Sequence, residues 1–348
     1  MNTLTKLKNY KVYSDLKVFH YPKFIRNLTS GTNSPLHVRI KPTNICNHKC
    51  YYCSYTNPKQ TLGKDMVKTD FIPYEKMMET IEDLINMDVK AVTFSGGGEP
   101  TCYPYLSEVL QRLSKSKVKF AMLTNGALLS GKVAELFSKY GSWVRISIDG
   151  WDKESYQGYR GADDFDKVIR NIKNFDSDTC DLGLNIVVTK ENARHLYEIV
   201  KQTASYIKNI KISSCVVNDN VKLNITYHSI LEEIVAEQLE EIRIAFGIPI
   251  NYTHHDQICG FSKDYTWCPN IQLQPVIGAD QNIYSCHDKA YTPDGLLGSI
   301  EEFSFKEAWE TSMKFQINPA KDCNHHCMAH NKNKVLLDFL NTSHQEFV

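Results

Sequence analysis

Residues 37–53 read HVRIKPTNICNHKCYYC, a strand-like segment that leads directly into three closely spaced cysteines. Helix-like patterns follow it and separate five more strand-like segments. The six segments are HVRIKPT (37–43), AVTFSGG (91–97), KFAMLTN (119–125), WVRISID (143–149), LGLNIVVT (182–189) and NIKISSCVV (209–217). Strands that alternate with helices indicate βαβ units and a parallel sheet. Six units are too few for a closed eight-unit barrel, so the sequence predicts an α/β fold built on an open, partial (β/α)6 TIM barrel.

The end of the barrel is predicted from a change in the sequence pattern. A periodic segment, SILEEIVAEQLEEIRIAFG, ends at Gly247 and is expected to place four apolar side chains on one helical stripe: Ile230, Leu231, Ile234 and Val235. The following residues combine short strand-like pieces with four cysteines. We expect an N-terminal extension (1–36), the barrel (37–247) and a small C-terminal domain (248–348) that metal ligation stabilises.

Composition excludes several classes of function. The chain has 348 residues, and its 40 Lys and Arg residues balance 40 Asp and Glu residues. It therefore lacks the basic surface that nucleic-acid binding requires, and we expect no nucleic-acid partner. No apolar run of about 18 residues predicts a membrane span. The N-terminal residues lack the apolar core of a signal peptide, so we expect a cytoplasmic location.

Eleven cysteines are unusual for such a chain. Thiols stay reduced in the cytoplasm, so disulfides are not expected. Three of the cysteines, Cys46, Cys50 and Cys53, lie within eight residues and can bind three corners of an iron–sulfur cube, which leaves one iron open. A zinc ion with His48 as its fourth ligand is the alternative interpretation.

Polar and glycine residues follow several strands, at the end where barrel enzymes place their chemistry. The second strand leads into SGGGEP (95–100), in which the glycines allow close backbone approach and Glu99 supplies a carboxylate. The third strand ends in Thr124-Asn125-Gly126, and the fourth in Ser147-Ile148-Asp149-Gly150. The Asn-Gly and Asp-Gly pairs also fit simple turns.

The C-x3-C-x2-C spacing, with Tyr52 directly before the third cysteine, resembles the signature of the radical S-adenosylmethionine (SAM) superfamily. The resemblance covers about residues 37–220 and implies a 4Fe-4S cluster whose open iron binds SAM. It also implies reductive cleavage of SAM to methionine and a 5′-deoxyadenosyl radical, which abstracts a hydrogen atom from carbon. An electron donor such as flavodoxin or ferredoxin is the implied partner.

The same resemblance assigns roles to residues at the strand ends. The residues expected to contact SAM are Tyr52, Gly97, Gly98, Glu99, Thr124, Asn125, Ser147 and Arg160. Arg160 is expected to pair with the SAM carboxylate. Asp149 is expected to bind substrate.

A second set of cysteines lies near the C-terminus: Cys268, Cys286, Cys323 and Cys327. A hairpin-like segment (276–286) precedes the second of them and resembles the SPASM and twitch domains, which hold auxiliary 4Fe-4S clusters. Gln281 stands where that family has glycine, although Asp280 and Asn282 can still form a turn. Four cysteines, instead of the seven of a full SPASM domain, predict one auxiliary cluster ligated by all four thiolates. A four-cysteine zinc site is the alternative.

Four cysteines remain unassigned, and two of them lie near the expected barrel mouth. Cys215 follows the sixth strand and Cys102 follows the glycine-rich turn. A thiol can donate a hydrogen atom to a carbon radical, so we consider Cys215 first, and Cys102 second, as a possible donor. The simpler interpretation is a buried, inert thiol. Cys259 is a weaker candidate for an auxiliary ligand.

We therefore expect a radical SAM oxidoreductase or epimerase that acts on a small polar substrate, such as a sugar or nucleotide sugar. Maturation of a ribosomally made peptide is the alternative. Only residues 1–45 precede the first cysteine, which disfavours the leader-binding winged-helix domain often found in peptide-modifying relatives. Outside enzymes, the alternative is a zinc-stabilised structural protein, for which the segment around Glu99 has no use.

Overall fold

A single ten-stranded sheet organises the molecule. The computed structural model describes residues 14–31, 33–57, 59–60, 62–252, 262–312, 314–315 and 317–345. The strands are β1 (His37–Ile40), β2 (Ala91–Phe94), β3 (Lys119–Thr124), β4 (Trp143–Ser147), β5 (Asp181–Val188), β6 (Asn209–Ser214), β7 (Ile250–Tyr252), β8 (Val276–Ile277), β9 (Asn282–Tyr284) and β10 (Leu296–Ser299). All six predicted barrel strands are present.

The strand order is β10-β9-β8-β1-β2-β3-β4-β5-β6-β7. Strands β1 to β7 pair in parallel. Strand β8 pairs in parallel with β1, whereas β9 and β10 are antiparallel. Because β7 and β10 lie at opposite ends of this order, the sheet of the described residues is open. The prediction of a partial barrel is confirmed.

Helices cover the outer face of the sheet. The α-helices are α1 (Pro22–Arg26), α2 (Tyr74–Asn86), α3 (Leu106–Leu113), α4 (Gly131–Tyr140), α5 (Lys153–Arg160), α6 (Phe165–Asn174), α7 (Leu196–Lys201), α8 (Val221–Ser229), α9 (Glu232–Phe246), α10 (Asn270–Leu273), α11 (Phe305–Glu310), α12 (Pro319–Asp322) and α13 (His330–Asn341). Short 3-10 helices span Asp15–His20, Leu28–Ser30, Pro100–Cys102, Ala204–Tyr206, His287–Lys289 and Pro293–Gly295. No helix in the described ranges is long and apolar enough to cross a membrane.

Helix α2 shows why this layer forms. Its buried side chains include Met77, Ile81 and Leu84, which recur at helical spacing and join the core that the outward side chains of the strands supply. Burying each apolar side chain of this size contributes about 1.5–3 kcal/mol. The helix thus follows the apolar period of its sequence.

The segment before Gly247 departs from its prediction. The segment was expected to form one continuous helix. Instead, α8 ends at Ser229, the chain turns at Ile230 and Leu231, and α9 begins at Glu232. Ile230 is 59% exposed, whereas Leu231 and Val235 are buried. The expected stripe is therefore wrong at Ile230, because the turn directs that side chain outward. The helix does end at Gly247, whose φ of 64° suits glycine.

The C-terminal region extends the barrel sheet. Strand β8 continues the sheet beyond β1, with Arg39 opposite Val276 and Ile40 opposite Ile277. Strand β7, which follows residue 247, also belongs to the sheet through its pairing with β6. The predicted boundary at residue 247 thus falls between strands of one sheet, and it stays a prediction.

The N-terminal elements pack against the C-terminal helix. Val18, Phe24 and Leu28 form a small apolar cluster together with Leu273 and Leu336. This cluster is separate from the barrel core, so the first and last described elements stabilise each other.

The turn between β8 and β9 explains the missing glycine. Gln281 adopts a φ of 64°, the left-handed conformation that glycine normally provides. The Asp280 carboxylate accepts hydrogen bonds from the Asn282 side chain at 2.9 Å and from the Tyr284 hydroxyl at 2.5 Å. These bonds hold the turn and offset the cost of about 1–2 kcal/mol that a side chain incurs in this conformation.

Replacing Gln281 by glycine should stabilise the protein. We expect Gln281→Gly to raise the free energy of unfolding by roughly 0.5–1 kcal/mol, because relief of the left-handed strain exceeds the entropic cost of glycine. Urea denaturation measures the change. As a control, Gln111→Gly in the exposed face of α3 should lower the free energy of unfolding by about 1 kcal/mol. Equal destabilisation by both substitutions would contradict the strain argument.

Candidate active site

The three-cysteine loop lies at the carboxyl end of the parallel strands. It follows β1, and its backbone is tied to α5: the Lys49 amide donates to the Arg160 carbonyl at 2.8 Å, and the Tyr51 amide donates to the Tyr159 carbonyl at 3.3 Å. Cys46 is exposed, and Cys50 and Cys53 are partly exposed. The loop is therefore fixed by the protein while its thiols remain accessible.

The glycine-rich segment packs against the start of this loop. The Gly98 amide donates to the Thr43 carbonyl at 3.0 Å, and the Glu99 amide donates to the Ile45 carbonyl at 2.9 Å. A Cβ atom at Gly98 would lie 2.1 Å from the Ile45 carbonyl oxygen. Glycine is therefore required here by the close approach of two backbones. Gly97 is similarly constrained, since a Cβ there would lie 1.9 Å from the Asn44 side-chain oxygen.

Glu99 links the ends of β2 and β3. Its buried carboxylate accepts hydrogen bonds from the Thr101 amide at 3.0 Å, the Thr124 hydroxyl at 2.6 Å and the Asn125 amide at 2.7 Å. Burial raises the pKa of Glu99, while these donors oppose the increase. The structure thus brings together three residues predicted at the SAM site; their contacts with SAM stay predictions.

Asn47 was missed by the sequence interpretation. Its side-chain oxygen accepts a hydrogen bond from Asn125 at 2.7 Å and lies 3.7 Å from the Cys102 sulfur. It thereby connects the cysteine loop to the end of β3. An asparagine directly after a cysteine carries no distinctive spacing signal, which is why the sequence did not single it out.

Asp149 and Arg160 form a buried ion pair in this structure. The fully buried Asp149 carboxylate also accepts hydrogen bonds from the Tyr52 hydroxyl and from the Val187 amide at 2.6 Å. Arg160 lies 3.7 Å from the Cys50 sulfur through a second guanidinium nitrogen. These residues were predicted to contact substrate and SAM separately, and the structure pairs them with each other. Their ligand contacts stay predictions.

The partly exposed Ser147 ends β4 at the same edge, next to the loop that carries Asp149. Cys215 lies after β6 and is 5% exposed, and burial raises its pKa to about 12. Cys102 is partly exposed beside the cysteine loop. A hydrogen-donor role for either thiol stays a prediction.

The second cysteine set lines one partly open cavity of about 150 Å³. The four thiols in its lining are those of Cys268, Cys286, Cys323 and Cys327. Burial raises the pKa of Cys323 to about 11 and that of Cys327 to about 12, so metal binding must displace thiol protons. The structure therefore brings together all four predicted auxiliary ligands. Cys259 lies outside the described residues.

Ligand spacing bears on the zinc alternatives. A tetrahedral zinc site with bonds of about 2.3 Å holds its sulfurs roughly 3.8 Å apart. In the described part of the chain, one group of three candidate ligand side chains lies within 4.8 Å of one another: Cys286, Asp288 and His325. The zinc alternatives for the two cysteine sets stay predictions. His48, the alternative zinc ligand of the first loop, has its Nε2 atom 3.1 Å from the Asp164 carboxylate.

A cleft of about 280 Å³ lies beside the cavity. Gln60 and Lys64, which follow the cysteine loop, form one side, and Val216 at the end of β6 forms another. Asp288 and His325 line both the cleft and the cavity of the second cysteine set. The cleft thus adjoins elements of both cysteine sites.

An open parallel barrel with a cysteine loop at its carboxyl end defines a class of enzymes that hold an iron–sulfur cluster at the strand ends. Residues 40–203 match the radical SAM superfamily. This segment of the chain is therefore a radical SAM domain.

Two curated relatives and one solved structure illustrate the similarity. The mycofactocin maturase MftC of Mycobacterium tuberculosis is 26% identical over 194 residues, which span 55% of this chain and 48% of the relative. A probable GTP 3′,8-cyclase of Sulfurisphaera tokodaii is 30% identical over 165 residues, 47% of this chain and 50% of the relative. Each match thus spans about half of the relative or less.

The solved structure shows a shared fold. Streptococcus suis SuiB, crystallised with its precursor peptide SuiA, superposes with a TM-score of 0.64 at 16% identity. The match covers 93% of this chain and 82% of SuiB. At this identity the similarity concerns architecture alone.

Breaking the buried ion pair should destabilise the protein strongly. We expect Arg160→Met to lower the free energy of unfolding by about 3–5 kcal/mol, because it leaves the Asp149 carboxylate buried without its cation. Urea denaturation of the metal-free chain measures the effect. Arg112→Met, which removes an arginine paired with Glu82 near the surface, serves as the control and should cost less than about 1 kcal/mol. Similar losses for both variants would refute the burial argument.

Proposed function

We propose that this radical SAM enzyme binds one cluster on Cys46, Cys50 and Cys53, a second on the four C-terminal cysteines, and modifies a ribosomally made peptide. The observation that carries the proposal is the cleft beside the second cysteine set, which is also lined by Gln60 and Lys64 from the segment after the first cysteine loop. When bound, the first cluster with SAM supplies a 5′-deoxyadenosyl radical that abstracts a hydrogen atom from substrate carbon. A flavodoxin or ferredoxin is the proposed electron donor, and the cytoplasm the proposed location.

The protein's part in this chemistry is to fix the cluster loop and to shape the SAM site. Arg160 directs a guanidinium N–H toward the Cys50 sulfur, and Asp149 holds that guanidinium in place. Gly98 keeps the glycine-rich backbone against the loop. Together they support a loop geometry that leaves one iron open to SAM. The SAM contacts predicted from the sequence are proposed at these strand ends.

The second set of cysteines supports a closed auxiliary site. All four thiols line one cavity, so a cluster held there has every iron ligated by protein. A site of this kind transfers electrons, or stabilises the fold, without coordinating substrate. We therefore propose one auxiliary 4Fe-4S cluster at this position.

A peptide is the proposed substrate class. The similarity to a mycofactocin maturase supports it better than the sugar substrate that we expected from the sequence. A cleft of about 280 Å³ is small for a ligand pocket, which usually encloses roughly 300–1,000 Å³, and suits a single peptide side chain. Oxidation and epimerisation remain the two proposed outcomes.

A small polar substrate is the second candidate. The similarity to a probable GTP 3′,8-cyclase favours it, since that relative's name specifies a nucleotide substrate. Ionic side chains in the cleft, among them Lys64 and Asp219, suit a polar ligand.

Iron content tests the two cluster sites. After anaerobic reconstitution we expect on the order of eight irons per chain, with a broad absorbance near about 400 nm. Substituting alanine at Cys46, Cys50 and Cys53 together should remove about half of the iron and all SAM cleavage, measured as 5′-deoxyadenosine. Cys180→Ala, which changes a buried thiol outside both sites, serves as the control and should retain the full iron content and SAM cleavage. A colourless, zinc-loaded protein would falsify the enzyme proposal.

Substrate class is tested by the rate of 5′-deoxyadenosine formation with two sets of probes. One set contains synthetic peptides encoded by short reading frames beside the gene, and the other contains GTP and UDP-glucose. We expect stimulation by a peptide, because the cleft fits a single side chain. Stimulation by GTP or UDP-glucose alone would support the second candidate instead.

The outcome of the reaction is read in deuterated water with the stimulating substrate. One deuterium gained at a stereocentre identifies epimerisation, and loss of two electrons without deuterium identifies oxidation. If Cys215 donates hydrogen, Cys215→Ala should stop deuterium uptake and divert the product. Unchanged turnover and product would exclude that role.

A further inference from the structure

The cavity of the second cysteine set is surrounded by positive charge. Besides the four thiols, four cationic side chains line it: Arg39, Lys263, Lys289 and Lys332. Asp288 is the carboxylate in the same lining. The whole chain carries equal numbers of acidic and basic residues, so this local excess of cations is a property of the cavity.

Three of these cations have other polar partners among the described residues. The Lys263 ammonium donates to the His325 carbonyl at 2.9 Å. Lys289 pairs with Asp294, and Lys332 lies 3.4 Å from the Asn270 side-chain oxygen. Their charges face the thiols, but their positions are determined in part by these other contacts.

Arg39 differs from the other three. Its buried Nε atom has no hydrogen-bond partner among the described residues. Arg39 lies in β1, whose backbone is hydrogen-bonded to β2 on one side and to β8 on the other, so the side chain starts from a rigid position. Arg39 is partly buried, and burial lowers its pKa although the nearby Asp288 carboxylate opposes the decrease, so part of the cost of removing this charge from water remains. An anion in the adjoining cavity would compensate that cost.

Two more buried polar atoms in the cavity lining share this property. The Ser285 hydroxyl and the His287 Nδ1 atom, on either side of Cys286, have no hydrogen-bond partner in the described structure. Cluster sulfurs and thiolates accept hydrogen bonds from such groups. The donor set of the cavity therefore fits an anionic cluster held by four thiolates.

We propose that Arg39 raises the reduction potential of the auxiliary cluster. The inference rests on the auxiliary cluster of the proposed function. Net charge and hydrogen bonds to sulfur set the potential of iron–sulfur clusters, and a nearby cation favours the reduced, more negative state. If a substrate carbon loses a hydrogen atom to the 5′-deoxyadenosyl radical, a cluster held by the four cysteines could take up one electron from the substrate radical, and one proton would leave to water. The direction of the shift favours oxidation over epimerisation.

The test uses the full chain with alanine at Cys46, Cys50 and Cys53, so that every signal comes from the auxiliary site. Iron per chain and the midpoint potential, followed by electron paramagnetic resonance, are the two measurements. We expect Arg39→Met to retain iron and to lower the equilibrium constant for reduction at least tenfold, a shift of about 59 mV for one electron. Arg39→Lys keeps the charge and should retain most of the potential.

Lys119→Met, which removes an exposed cation at the start of β3, is the matched control and should leave the potential unchanged. An Arg39→Met protein that holds iron at the parental potential overturns the inference. If Arg39→Met loses the cluster, the potential of Lys332→Met is the deciding measurement. A lowered potential supports a role for the cationic side chains that line the cavity, and an unchanged potential overturns it. Failure of the parent chain to bind iron, or binding of zinc on Cys286, Asp288 and His325, would instead overturn the proposed auxiliary cluster.

Discussion

The hydrogen bonding of β1 on both of its edges is the constraint on which the arrangement of the molecule depends. One edge pairs with β2 and so begins the barrel, while the other pairs in parallel with β8 and so attaches the C-terminal region. Parallel neighbours end at the same edge of a sheet. The loop that carries Cys46 follows β1, and the hairpin that leads to Cys286 begins with β8. This pairing therefore determines the relative position of the two cysteine sites.

Buried carboxylates reinforce the open barrel at the same edge. Glu99, after β2, accepts the amide of Asn125 after β3. Asp149, after β4, accepts the amide of Val187 in β5. In both places one carboxylate links the ends of two neighbouring strands. In a closed barrel the unbroken ring of paired strands would hold these ends together. Hydrogen bonds to a buried carboxylate offset part of the cost of its burial, so these links have defined directions.

The sequence predicted the features that repeat or that have a characteristic spacing. Six strands followed from apolar runs between helical patterns, and the two cysteine sets followed from their spacing and were each placed together. The strands β8 to β10 are too short to show a period, and their inclusion in the barrel sheet depends on pairing with distant residues. A two-residue turn at Ile230 and Leu231 changed which side chain is buried, because periodicity alone does not reveal where a helix breaks.

Pairing between polar side chains of the site was harder to predict from the sequence than the strands and the cysteine sets. Asp149 and Arg160 each had the chemistry of a ligand contact, and eleven positions separate them in the sequence. Sequence pattern does not tell whether a polar group at a strand end faces a ligand or a neighbouring side chain, since both satisfy it equally well.

Overall charge neutrality gives no information about such local arrangements. Equal numbers of acids and bases in the chain coexist with a cavity in which one carboxylate faces four cations. Concentrating like charges in a confined space destabilises the fold unless a counter-charge is present. The Arg39 Nε atom has no hydrogen-bond partner among the described residues, and the proposed auxiliary cluster would bring further negative charge into this cavity. In the proposed cluster site the four thiols would lose their protons on binding metal, so the thiolates and the surrounding cations would stabilise each other once the site is loaded.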